Sequence, residues 1–343
     1  MTAATTPAAT PPPPRDAPSE DASPTPPPRN ARGTTPAGTR RREAEHLRPG
    51  QRARRRQETA TAYTFLIPSF VGVGVFLIVP VFLVAALSLM DWDLITSPEF
   101  VGTENWENIL QDRKFWNSLL VTGKFVLMAI PASVVCGLLL AVALNRNLPG
   151  RGFFRVLYVL PWVCAPLALG VVWRWLFSPS NGLVNALLGQ RVEWMSDVNL
   201  ALPAVAFVYV WSKVGYISLF FLAGLQAIPS SVYEAAKLDG AGPWTTLTQM
   251  TLPLLRPTTF FIMVTEVVAS FQVFDLVYGL TGSARGYPGG STDVIASRIY
   301  QEAFVSLDLG EASVMALILF AFLVIITIAQ QRYFAPRMTY DMS

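Results

Sequence analysis

Residues 59–90 carry no charge, and the run FLIPSFVGVGVFLIVPVFLVAALSLM inside that stretch exceeds what one membrane crossing needs. The hydrocarbon layer is about 30 Å thick and a helix rises about 1.5 Å per residue, so about 20 apolar residues suffice. The run begins only after Glu58, too late and too long for a cleavable signal, so it is expected to stay as an anchor. Composition agrees: of 343 residues 52% are apolar and 14% charged, where soluble domains carry about 25% charge.

Five further spans are expected at 125–144, 156–177, about 200–225, about 257–280 and about 312–330. Arg174 near the end of the third can snorkel to the interface. The fold class predicted is therefore all-α, a polytopic membrane bundle of six transmembrane helices. Prolines 68, 80, 131, 161, 166 and 203 are read as kinks, because neighbouring helices can take up the freed carbonyls. Residues 1–57, rich in Pro, Ala, Thr and Arg, form a predicted disordered tail ahead of a membrane domain at 58–343.

Short cytoplasmic loops hold an excess of Lys and Arg. Arg52, Arg54, Arg55 and Arg56, then Arg146, Arg151 and Arg155, then Arg332 and Arg337 fall on one side of the predicted topology. Asp91, Asp93, Glu99, Glu104, Glu107 and Asp112 fall on the other, with Glu193, Asp197, Asp293, Glu302, Asp308 and Glu311. Both termini are thus expected in the cytoplasm. A net charge of +3 with basic residues confined to short flanks argues against nucleic acid as a partner.

Several chemistries find no residues to carry them. Cys136 and Cys164 sit in apolar segments without metal-ligand spacing, and the single histidine, His46, lies in the Arg-rich tail. No GxxxxGK[ST] phosphate loop or GxSxG elbow occurs. Neither a catalytic residue nor a metal site is expected, and ATP must bind elsewhere.

The segment 228–257, IPSSVYEAAKLDGAGPWTTLTQMTLPLLRP, falls on the predicted cytoplasmic side. Ser230 or Ser231 can cap a helix, Gly240 and Gly242 stop it, and Pro243 suits the start of a second one. On residues alone, an amphipathic helix lying among lipid headgroups is favoured over a protein contact. The spelling Glu234-Ala235-Ala236, Asp239-Gly240-Ala241 and Leu252-Pro253 resembles the EAA loop of membrane subunits of binding-protein-dependent ATP-binding cassette (ABC) importers. The stretches FLIPSFVGVGVF, RGFFRVLYVLPWV, WRWLF, FLAGLQAIP and SFQVFDLVYGLTG are similar to the carbohydrate-uptake branch, the maltose and glycerol-phosphate permease type. The resemblance covers about residues 60–335 and leaves the tail outside it.

That resemblance implies a non-catalytic permease of a bacterial cell membrane that moves a sugar or polyol. It implies a second permease, a cytoplasmic ATPase dimer that binds ATP and Mg, and an extracytoplasmic solute-binding protein. No cofactor is implied in this chain. By motif position, Glu234, Ala235, Ala236, Asp239, Gly240, Ala241 and Pro253 inherit contact with the ATPase.

Ionisable residues inside spans are costly, so Lys213, Glu266 and Asp275 are functional candidates, with structural pairing the equal alternative. Tyr216, Trp211, Gln272 and Asp275 offer aromatic faces and hydrogen-bonding groups suited to a sugar; packing between helices is the competing role, above all for Trp211. The same charged residues motivate an alternative, an ion-coupled secondary transporter, although the two halves show no internal repeat. A membrane scaffold would leave the intramembrane polar groups unexplained.

Overall fold

The computed structural model describes residues 49–146 and 149–334. Residues 1–48 and Arg337 lie outside the described residues. Contacts divide the chain after Phe70 into two units. The first is described from Pro49 as helix α1 (Pro49–Val73). Residues 49–57 within it are helical, and their Arg, Gln and Ala content favours helix.

The second unit, from Val71, holds the last residues of α1, then a π-helical turn, Gly74–Ile78, and α2 (Val79–Leu87). A small hairpin follows, in which β1 (Met90–Asp91) pairs antiparallel with β2 (Glu99–Phe100), Met90 opposite Phe100. Helix α3 (Glu104–Gln111) then leads through Asp112, whose carboxylate accepts the Lys114 N–H at 2.9 Å, into the long helix α4 (Arg113–Leu144). Pro131 sits inside α4 without ending it.

Among the described residues four helices are long and apolar enough to span a membrane: Thr61–Leu87, α4, α8 (Ala201–Ala227) and α15 (Leu309–Phe334). The other two expected spans are bent pairs, which bring the count to six if each pair crosses once. Their components are α5 (Arg151–Val163) with α6 (Pro166–Leu176), and a segment Pro243–Leu254 with α12 (Arg256–Phe271). Two corrections follow. The third span is broken by 96° rather than kinked, and helix α12 stops at Phe271 instead of running to 280.

Helix α8 is the centre of the bundle. Within its most apolar stretch 56% of residues are buried, against 33% in α4 and α15. Val205, Val208 and Tyr209 meet Phe125 and Ala129 of α4 in one core, while Ile217 and Phe221 meet Ala141, Leu255 and Ile262 in another. Close approach is bought by small residues. A Cβ at Gly215 would collide with the Tyr158 carbonyl of α5, and one at Gly137 of α4 would run into Ile217. Small residues serve this purpose wherever membrane helices touch backbone to backbone. Large apolar side chains such as Phe76 and Leu127 remain exposed, as a lipid-facing or subunit-facing surface requires.

At the start of α4 a polar cluster ties in the loop that follows the fifth span. Helix α14 (Ile295–Gln301) begins with an N–H donated by Ile295 to Thr122 Oγ1 at 2.8 Å. Arg298 contacts Asp112 Oδ2 at 3.4 Å and Glu302 Oε1 at 2.9 Å. Beside them, burial pushes the Asp293 carboxyl up to about 6, opposed by Arg298 and Lys114 and reinforced by Asp112 and Glu302.

Gly215→Ala should destabilise the protein by about 1–3 kcal/mol, because the backbone of α5 has to move. Gly123→Ala, where a Cβ meets nothing within 4 Å, should be neutral or stabilising. Thermal unfolding of the detergent-purified variants reads both. The Asp293 carboxyl binds its proton more tightly folded than unfolded, so its contribution is complete below about pH 4 and is lost as pH rises through about 6. Between pH 7 and pH 5 the melting temperature of wild type should therefore gain on that of Asp293→Asn, as paired melts at both pH values would register.

Candidate functional site

Two helix breaks converge on one cavity. Helix α5 ends at Val163, and Cys164 and Ala165 adopt extended backbone, with ψ of 145° and 126°. A residue that precedes proline is biased away from the helical region, which favours a break before Pro166, and Pro166 then opens α6. The second interruption covers Gln272, Val273 and Phe274, after which the chain resumes as α13 (Asp275–Thr281). Helices α6 and α13 touch at two glycines. A Cβ on Gly170 would stand 2.7 Å from the Leu276 carbonyl oxygen and 2.8 Å from Gly279 Cα.

The cavity holds about 200 Å³, far more than the roughly 10–15 Å³ one water needs. Trp162, Cys164 and Pro166 line it from the first break, and Gln272, Phe274 and Asp275 from the second. Tyr209, Ser212 and Lys213 form the wall from α8. These three lie roughly 12–18 Å along a 27-residue helix, which places the cavity near mid-span.

Polar groups in the wall are linked. The Tyr209 hydroxyl donates to Glu266 Oε2 at 3.0 Å, and Glu266 itself is only 2% exposed. Lys213 Nζ lies 5.5 Å from the centre of the Tyr209 ring, within reach of a cation–π attraction. Ser212 donates to the Tyr209 carbonyl at 2.7 Å. Trp162 is stacked on Tyr216, ring centres 4.3 Å apart and planes 15° from parallel.

The residues expected along a path thus separate. Gln272 and Asp275 face the cavity, and Lys213 joins them. Tyr216 lies behind Trp162, while Trp211 packs edge-on against Trp173 at 5.2 Å and is not among the lining residues. Sequence reasoning passed over Trp162, Tyr209 and Ser212. For Trp162 a signal existed, since it sits between Pro161 and Pro166 in an apolar run.

The segment 228–257 makes one short helix and then, after a turn, a second helical stretch of three pieces. Helix α9 (Ser230–Leu238) has Pro229, not a serine, at its N-cap, and neither Ser230 nor Ser231 caps it because Ser230 is already helical. Gly240 takes φ of +72°, and two bonds close the helix end: Ala241 N–H to the Ala236 carbonyl at 2.9 Å, and Gly240 N–H to the Lys237 carbonyl at 3.1 Å. This is a Schellman turn, spelled by Asp239-Gly240-Ala241. Pro243 opens α10 (Pro243–Thr245), followed by a π-helical turn, Thr246–Thr251, and α11 (Leu252–Leu254), with Pro253 inside it. The chain then bends by 67° into α12. Glu234, Ala235 and Asp239 are exposed, Ala236 is buried, and Leu238 and Trp244 stand 89% and 74% exposed.

Residues 133–340 match the family described as binding-protein-dependent transport system inner membrane component. The chain belongs to that family. The sn-glycerol-3-phosphate transport system permease protein UgpA of Agrobacterium fabrum is 36% identical over 248 residues, covering 71% of this chain and 84% of its own. The trehalose/maltose transport system permease protein MalF of Thermococcus litoralis is 32% identical over 277 residues, covering 79% and 92%. The crystal structure of a bacterial ABC transporter that imports alginate contains a chain with the same fold, at a TM-score of 0.68 and 19% identity, covering 84% of this chain and all of that one. The protein is accordingly a permease of an ABC importer. Family membership leaves the ion-coupled alternative without support.

Within this permease the Tyr209–Glu266 bond is a core feature. Tyr209→Phe should cost about 1–3 kcal/mol by leaving a buried carboxyl oxygen without its donor. A double-mutant cycle with Glu266→Leu, followed by thermal unfolding, should show strong coupling between the two sites.

Proposed function

We propose that this permease imports a sugar or related polyol. It does so with a second permease, an ATPase dimer that binds Mg-ATP in the cytoplasm, and an extracytoplasmic solute-binding protein. The observation that carries the reading is physical continuity. One chain segment runs from the exposed α9–α10 turn through α11 and a single bend into α12, and α12 ends at the cavity wall on Gln272. Relatives named for trehalose, maltose and sn-glycerol 3-phosphate support a polyhydroxylated solute.

In this mechanism Glu234, Ala235, Ala236, Asp239, Gly240, Ala241 and Pro253 form the docking element for the ATPase, with Leu238 and Trp244 as its uncovered apolar side chains. ATP-driven closure of the ATPase pair displaces α9, and α12 transmits the movement as a rigid body to the cavity. The docking element faces the cytoplasm and both termini lie on that side. Arg146, Arg151 and Arg155 support this, because Val142 and Asn145 at the end of α4 face Tyr233, Lys237 and Trp244 across one cavity. At mid-span Gln272 and Asp275 meet the hydroxyls of the solute, and Tyr216 holds Trp162 against its apolar face. Trp211, outside the lining and edge-on against Trp173, steadies the helices beside this path rather than touching the solute.

Gly240→Val tests the coupling step, since a β-branched residue at φ of +72° is strained and opens the Schellman turn. ATP-dependent sugar uptake by cells should fall at least tenfold, and less ATPase should co-purify with the tagged permease, while its amount in the membrane is unchanged. Undiminished uptake together with undiminished ATPase recovery would reject the assignment.

A further inference from the structure

We infer that the mid-span cavity selects uncharged sugars and excludes phosphorylated or carboxylated ones. The inference rests on reading that cavity as part of the translocation path. Names among the relatives point both ways, since sn-glycerol 3-phosphate and alginate are anionic whereas trehalose and maltose are neutral. The lining of the cavity separates the two classes.

An anion taken out of water needs compensating positive charge, or its desolvation dominates. A phosphate monoester brings about −1.5 to −2 at neutral pH. Among the described lining residues the cavity offers one cation, Lys213, and one carboxylate, Asp275, and neither forms a close ion pair. A second carboxyl, Glu266, stands directly behind the wall, bonded to Tyr209. Two helix starts also face the space, at Pro166 and Asp275, each equivalent to at most about +0.5 charge. Of these, α13 already carries Asp275 in its own first turn, and Pro166 has no N–H to offer. In the lining itself Lys213 and Asp275 cancel, and the two weakened helix starts add little, so the sum is close to zero.

A neutral polyol needs no counter-charge. It needs alternating donors and acceptors and an apolar face, which Lys213, Asp275, Gln272, Ser212 and the Trp162 ring supply. An unpaired ammonium and an unpaired carboxylate in one small cavity can each bond to separate hydroxyls of one sugar.

The test uses the assembled transporter, purified through a tag on this chain, held in nanodiscs and freed of its solute-binding protein. Saturation-transfer NMR is recorded with maltose, trehalose, sn-glycerol 3-phosphate and glucuronate at equal concentration. Maltose or trehalose should give at least ten times the signal of either anion, and Trp162→Ala should abolish it. Asp275→Lys should reverse the preference. Asp275→Asn, a milder change, should raise the anion signal if the lysine variant fails to assemble, with assembly checked by size-exclusion chromatography and ATPase activity.

An anion signal equal to the neutral one in wild type overturns the selectivity and leaves the transport reading standing. A neutral signal untouched by Trp162→Ala and by the Asp275 variants places sugar elsewhere, and overturns the cavity as the path. No signal from any of the four solutes counts against sugar import itself, and the inference falls with it.

Discussion

A peptide group released from a helix inside a bilayer finds no water, so every interruption must be answered by protein or must open onto a wet space. That constraint organises this chain. The breaks at Cys164–Ala165 and Gln272–Phe274 do not lie scattered over the bundle but come together on either side of Tyr209, Ser212 and Lys213. The backbone left between them is packed tightly, with α6 and α13 meeting through Gly170 and Gly279 and α5 meeting α8 through Gly215. A Cβ at any of these glycines would meet the backbone of the facing helix, so the small residues and the polar space are parts of one arrangement.

The long crossings were legible because hydropathy alone specifies them. Residues 59–90, 200–225 and 312–330 need little beyond length and a nearly uncharged apolar sequence, with Lys213 the one charge among them, and helices were found there. The breaks were not legible, because a proline carries the same local signal wherever it stands. Helix α4 continues through Pro131 and α5 through Pro161, yet the chain turns by 96° at Pro166. What differs is tertiary: α13 lies against α6 and holds it at its new angle, a contact between residues that are distant in sequence. The fifth span misled for the same reason, since residues 257–280 read as one apolar run although the helix ends at Phe271.

The same logic explains the aromatic residues. The sequence put Trp211 and Tyr216 in one span and favoured packing above all for Trp211, but a helix face is assigned by its neighbours. Trp173 takes up Trp211, and Trp162 comes between Tyr216 and the cavity. In the segment 228–257 the local signals were stronger, because turn chemistry depends on few residues. Gly240 and Pro243 did what their backbones dictate, whereas the serine cap was displaced by one position by Pro229.

Helix α4 has 32 residues and so extends for about 48 Å, well beyond the hydrocarbon layer. Its first turns hold the Arg298 cluster and Thr122, and its last residues reach the cavity beside Lys237 and Trp244. A stiff rod engaged at both tips behaves as a seesaw. A tilt of about 5° around its middle carries each tip roughly 2 Å, in opposite directions. Displacement at one face of the bilayer therefore arrives at the other with its sign reversed, without any helix having to unwind.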